Sequence, residues 1–223
     1  MKLSYLVTCH NEDKTLESLL SNLSLFTCGQ DEIVILDDFS TNTETQKIIN
    51  SYANESRFKI NQHKLDNNYG SHKNYGNSLC SGEFIFQLDG DECPKPDLIC
   101  NIKDIIESNP DVELFFVPRI NDFKGVTEEH AKQWGWKLDM SPTYKRLRVN
   151  FPDFQGRIYK NDPKIKWDRR LHEKIEGHNK YSFLPAEEEY ALYHDKTIEK
   201  QIETNVRYNK LFTQEENQGY VVK

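Results

Sequence analysis

The chain has 223 residues, 36% of them hydrophobic and 29% charged, which suits one domain with a sizeable core. Its formal charge of -7 argues against a general attraction to nucleic acid or anionic membrane and leaves room only for a local basic groove. Cys9, Cys28, Cys80, Cys93 and Cys100 form an odd set with no Cys-x-x-Cys pair, which suggests neither a disulfide framework nor a zinc ribbon and points to a reducing compartment.

Met1 to Cys9 is too short and too polar for a signal peptide, and no later run approaches a membrane span. A cytoplasmic protein without stable membrane insertion is expected. Leu3 to Thr8 reads as a buried strand, and Leu16, Leu19, Leu20 and Leu23 then recur at helical spacing behind Asn11-Glu12-Asp13. Glu32 to Leu36 predicts a second strand, ending in Asp37-Asp38, and Thr43 to Tyr52 a second helix. Phe58 to Ile60, His72 to Leu79 and Phe84 to Leu88 continue as strand, short helix and strand. This alternation predicts an α/β fold with a mostly parallel, Rossmann-like sheet and helices on both faces.

In such sheets ligands bind beyond the carboxyl ends of the strands. Cys9-His10-Asn11-Glu12, Asp37-Asp38 and Asp89-Gly90-Asp91-Glu92 all fall there. The last cluster suits a hard divalent cation, which takes oxygen ligands and completes its shell with substrate phosphates. A phosphorylated substrate is therefore implied. After Pro96, a helix carrying Leu98, Ile99, Ile102, Ile105 and Ile106 stops near Asn109-Pro110, and Leu114 to Val117 gives another strand. Arg119 to Asn150 shows no clear period, with Trp134, Trp136 and Tyr144 beside Arg146 and Arg148. It is either an acceptor-facing insertion or a packed excursion. From Ile198 the tail reads as a short charged helix and a frayed end.

Four ordered motifs give the chain a resemblance to family 2 glycosyltransferases of the GT-A fold over about residues 3 to 195. Val7-Thr8-Cys9-His10-Asn11-Glu12 is similar to the opening strand and turn, with His10 in the usual Tyr place. Asp37-Asp38-Phe39-Ser40-Thr41 resembles Asp-Asp-Gly-Ser-Thr, with Phe39 in place of Gly. Asn68 to Gly76 resembles Gly-x-x-x-Ala-Arg-Asn-x-Gly, and Asp89-Gly90-Asp91 is similar to the metal motif. Further on, Gln155-Gly156-Arg157-Ile158-Tyr159-Lys160, Leu171-His172-Glu173-Lys174-Ile175 and Tyr193-His194-Asp195 resemble a donor-side glycine segment, the acidic motif that supplies a base, and a late metal histidine.

The resemblance implies a metal-dependent, inverting transfer from a nucleoside-diphosphate sugar, a UDP-sugar first among them, to an acceptor hydroxyl. It implies that Thr8, Glu12 and Asp38 line the nucleoside pocket and that Gly156 lies near the donor. Lys73 is either a point charge for phosphate or a plain exposed helix lysine. Asp89 is assigned toward the ribose and metal shell, and Asp91 and His194 to Mn²⁺ or Mg²⁺, the histidine favouring Mn²⁺. Glu173 is the expected general base. The competing reading places His172-Glu173 on a surface strand pairing with Lys174 or Arg169. The acceptor is left open among a glycan, a lipid-linked sugar, a protein side chain and a modified base, with oligomeric state undetermined. One domain over residues 1–223 is expected, with residues 1–118 as the nucleotide-sugar half, 119–195 as the acceptor side and 196–223 as the C-terminal helix and tail. A nucleotidyltransferase would show a Gly-rich loop where Cys9-His10-Asn11-Glu12 has none, and a nuclease would expose a basic face. A non-catalytic nucleotide- or glycan-binding domain of the same fold is the remaining alternative, kept open by departures such as Phe39.

Overall fold

The computed structural model describes residues 1–141, 145 and 147–217. Tyr144 and Arg146 thus lie outside the described residues. Strand β1 (Leu3–Cys9) is buried along its whole length. Helix α1 (Lys14–Phe26) starts at Asp13, whose carboxylate accepts from the Lys14 amide, and it buries Leu16, Leu19, Leu20 and Leu23 as their spacing requires. Each such leucine contributes about 1.5–3 kcal/mol, as an upper figure. Then follow β2 (Glu32–Asp37), α2 (Thr43–Ser51), β3 (Phe58–Gln62), α3 (Tyr69–Leu79) and β4 (Phe84–Asp89). Helix α3 begins three residues earlier than His72 because the Asn68 side chain caps it, accepting from the Ser71 amide. Strand β5 (Glu92–Pro94) leads into α4 (Pro96–Glu107), where the proline occupies a first turn that needs no amide donor.

The region without visible period is ordered as β6 (Leu114–Lys124), α5 (Glu128–Trp134), β7 (Leu138–Met140) and β8 (Leu147–Lys160). Strand β6 is covered on both faces, so its burial does not alternate, and that erased the period-two signal. The rest comprises β9 (Lys166–Asp168), β10 (Lys174–Glu176), β11 (Tyr181–Phe183), a 3-10 turn at Glu188–Tyr190, β12 (Leu192–Thr197) and α6 (Ile198–Leu211).

The main sheet runs β3-β2-β1-β4-β8-β6-β12-β5. Its first four strands are parallel, as expected. The sheet as a whole is mixed rather than purely parallel, because β8 runs antiparallel to both β4 and β6, and β12 antiparallel to β5. Parallel neighbours need a long crossover, whereas β8 returns from the α5 and β7 excursion to lie beside β6 in the opposite sense. Tyr5, Val7, Ile33, Ile35 and Phe86 build one core with the leucines of α1 and with Leu98, Ile99, Ile102 and Ile106 of α4. Leu6, Val34, Leu36 and Ile85 build a second core, closed by Trp167 and Ile175 of the β9–β10 hairpin. Helix α3 lies against this second face so closely that a Cβ on Gly70 would stand 2.4 Å from the Arg169 carbonyl oxygen. Only glycine fits there.

Candidate active site

One cleft of about 930 Å³ opens at the carboxyl ends of β1, β2 and β4, where the strand order reverses around β1. Thr8, Glu12, Asp38, Lys73, Asp89, Asp91, Glu173 and His194 all line it. Gly156 does not. A Cβ there would meet Leu114 at 3.4 Å and Ile175 and Phe116 at 3.6 Å, so this glycine faces the second core. Its neighbour Arg157 reaches the cleft instead. The register between β6 and β8 shifts at Phe115/Phe116, leaving Arg157 as the extra residue of a bulge. Bulges re-aim side chains, and this one turns a guanidinium toward Asp89.

The loops that carry the nucleoside-side residues are stitched together. The Asn11 side chain accepts from the Thr41 and Asn42 amides at 2.7 and 2.8 Å, and the Asn11 amide donates to Ser40 Oγ at 2.9 Å. Asn11 adopts φ +54°, and Phe39 adopts φ +46° while 53% exposed. The left-handed region explains why glycine is the ordinary choice at the Phe39 position. Of the Asp37-Asp38 pair, Asp37 is buried and structural, accepting from the Ser40 amide and Gln62. Asp38 faces the cleft, with one oxygen accepting from the Leu65 amide and the other 3.5 Å from His10 Nδ1.

Beneath the cleft runs a ladder of alternating charges. Lys73 Nζ lies 2.7 Å from Glu173 Oε1 and 3.1 Å from Asp89 Oδ1, over the Trp167 ring. Arg157 Nη2 donates to Asp89 at 2.8 Å and to Glu92 at 2.6 Å. Arg119 joins Glu92 at 3.1 Å to Asp153 at 2.7 Å. The Lys73 side chain is only 3% exposed, so the exposed-lysine reading does not hold. Nor does Glu173 pair on a surface strand, since its partner is Lys73. Burial alone would raise the Asp89 pKa, but Lys73 and Arg157 outweigh it and hold this carboxyl well below the usual range.

At the far end of the ladder, Asn121 Nδ2 donates to Asp153 at 2.9 Å, which orients its carbonyl oxygen toward His194 Nδ1 at 2.8 Å. His194 Nδ1 then donates to Asn121, and Nε2 lies 3.3 Å from Asp91 Oδ2. In a neutral ring with Nδ1 protonated, Nε2 and Asp91 Oδ2 would be two facing acceptors, an arrangement that a bound cation can bridge. Among the described residues no three His, Cys, Asp or Glu side chains converge to hold a metal. The donor set that fits a divalent ion is therefore the Asp91–His194 pair, with Asn121 fixing the tautomer and substrate oxygens completing the shell. Asp89 accepts from Thr8, Gln87, Lys73 and Arg157, which leaves it a poor additional ligand.

His72, on the cleft side of α3, lies with its Nδ1 3.1 Å from His63 Nδ1. Burial, then His63, lower its pKa from 6.5 to about 4, against opposing pulls from Asp38 and Asp89. The unfolded chain therefore takes up this proton at higher pH than the folded one. Stability is expected to fall as pH drops from about 6.5 to about 4. Urea unfolding across that range checks this, and a His72→Gln protein with the same slope would refute it.

The C-terminal helix forms the roof, a role its charge-rich sequence did not reveal. Lys200 Nζ contacts both Glu12 carboxylate oxygens at 3.0 Å, and Tyr208 and Arg207 meet the Tyr69 hydroxyl at 3.3 Å. Arg119, Asn121 and Asp153 carry no local signal, because they become neighbours only through strand pairing far along the chain, and Glu92 of the carboxylate cluster is buried between Arg119 and Arg157. For Arg157 a local signal existed: a Gly-Arg step inside a strand marks a bulge.

A family model described as Glycosyl transferase family 2 matches residues 4–175. The chain is 27% identical over 118 residues to a protein described as an uncharacterized glycosyltransferase of Haemophilus influenzae, a match covering 52% of this chain and 38% of that protein. Its fold is similar to S. aureus TarS 1-349 in complex with UDP-GlcNAc, at TM-score 0.62 and 20% identity, covering 88% of this chain and 59% of the other. It is also similar to the mannosyltransferase PcManGT from Pyrobaculum calidifontis in complex with GDP-Man and Mn²⁺, at TM-score 0.56 and 13% identity, covering 86% and 56%. At those identities the likeness shows the fold, which is the GT-A arrangement, and the chain spans less than two thirds of each of these proteins.

Proposed function

The chain belongs to glycosyl transferase family 2, and from that premise we propose that it moves a sugar from a nucleoside-diphosphate sugar to an acceptor hydroxyl with inversion. The observation that carries this reading is the meeting of Asp38, Asp91, His194 and Glu173 in one cleft. Asp38 and Glu12 take the nucleoside, with Thr8 supporting them beside Asp89. Asp91 and His194 would hold a divalent cation, Mn²⁺ or Mg²⁺, whose positive charge would stabilise the departing diphosphate. Glu173 takes the acceptor proton as its oxygen attacks the anomeric carbon from the side opposite the leaving group. Lys73 aims that carboxylate and ties it to Asp89. Strands from residues 1–118 and 119–195 share one continuous sheet, which supports a single domain with a donor half and an acceptor half.

TarS bound to UDP-GlcNAc and PcManGT bound to GDP-Man support a nucleotide-sugar donor without fixing its base. Among the described residues no helix is long and apolar enough to cross a membrane. Incubation with a panel of nucleotide sugars and Mn²⁺ tests the reading, because slow donor hydrolysis releases free nucleoside diphosphate without any acceptor. Release from one donor, abolished in Asp91→Asn, is the expected result. Tight nucleotide binding with no release from any donor, and no transfer to any acceptor tried, would leave a binding domain instead.

A further inference from the structure

Seven cations besides histidine line the cleft, and their partners divide them sharply. Lys64 pairs with Asp66, Lys73 with Asp89 and Glu173, Arg119 with Asp153, Arg157 with Glu92, and Lys200 with Glu12. Arg207 is exposed, donates to the Tyr69 hydroxyl and lies over the Tyr208 ring. Lys196 differs from all of them. It is half-buried on β12, and its side chain makes no ion pair or hydrogen bond among the described residues.

Alternation along β12 puts Lys196 on the same side as His194, two residues before it. It thus flanks the Asp91–His194 pair inside the cleft. Asp91, and after it Glu12, attract this ammonium from a distance without accepting a hydrogen bond from it, so an anionic ligand would supply the acceptor its half-buried donors lack, by a charge-assisted hydrogen bond. From this placement we infer that Lys196 binds the diphosphate of the donor, contacting the distal phosphate that a nucleoside monophosphate lacks. This deepens the proposed function and rests on it. The lysine acts on the leaving group together with the charge at Asp91 and His194, and it gives the cleft a phosphate contact independent of any metal.

Calorimetric titration with UDP and UMP in EDTA isolates this contact from the metal. Wild-type protein is expected to prefer the diphosphate, and Lys196→Met to lose about tenfold of that preference with UMP affinity unchanged. Lys196→Arg keeps most of it. Thermal melts verify folding, and Lys196→Gln replaces the methionine variant if that one is unfolded. An unchanged UDP to UMP ratio in the folded neutral variant overturns the inference while leaving the proposed function standing. If wild-type protein binds no nucleotide from the uridine, guanosine or adenosine series, the proposed function fails and this inference falls with it. If another base binds best, its own diphosphate and monophosphate pair is used and the same ratio decides.

Discussion

Glu173→Gln is expected to lower turnover by about 10²- to 10⁴-fold while donor affinity changes by about twofold or less. The amide keeps the shape of the side chain and still accepts from Lys73, so the 2.7 Å contact that positions it survives in form. What is lost is the ability to take a proton from the acceptor hydroxyl. A base acts in the transition state, whereas a donor contact also acts in the ground state, so the two roles separate in steady-state kinetics. Turnover near that of wild type would remove Glu173 from the role. An equal loss in donor affinity would make it a structural member of the ladder instead.

Arg157→Met is expected to destabilise the protein by about 3–5 kcal/mol. The methionine fills most of the space, but Glu92, which is 0% exposed, and Asp89 then lose the guanidinium they share. Gln87 Oε1 loses its donor as well. Glu92 keeps Arg119 and Asp89 keeps Lys73, but each carboxylate loses one of its two cationic partners, and that penalty exceeds what the shared contact contributes over a hydrophobic substitute. Urea unfolding of Arg157→Met, Glu92→Gln and the double variant gives the coupling directly. A double variant whose loss equals the sum of the single losses would mean that the ladder is not a coupled unit.

The outline of this molecule was legible where chemistry repeats locally. Leu16, Leu19, Leu20 and Leu23 fixed α1 by spacing alone, and the acidic residues at the ends of β2 and β4 pointed to the cleft before any strand was paired. Lys73 shows the limit. Its sequence context is that of an ordinary helix lysine, and its burial between Asp89 and Glu173 depends on a residue 100 positions away. Gly156 shows another, since a flexible residue near a ligand and a residue that merely lets Leu114 and Phe116 pack look the same in sequence. The helix from Ile198 was legible, but its place over the cleft was not, because that place depends on polar contacts with the distant Glu12 and Tyr69.

The place of β12 has a consequence for synthesis. This strand enters last yet sits between β6 and β5, both of which leave the ribosome many residues earlier. Until Leu192–Thr197 has emerged, those two strands face one another across a gap with open edges, and such edges invite pairing with other chains. Aggregation of nascent protein should therefore peak for chains stalled between the completion of β8 and the arrival of β12, and fall once that slot beside the edge strand is filled.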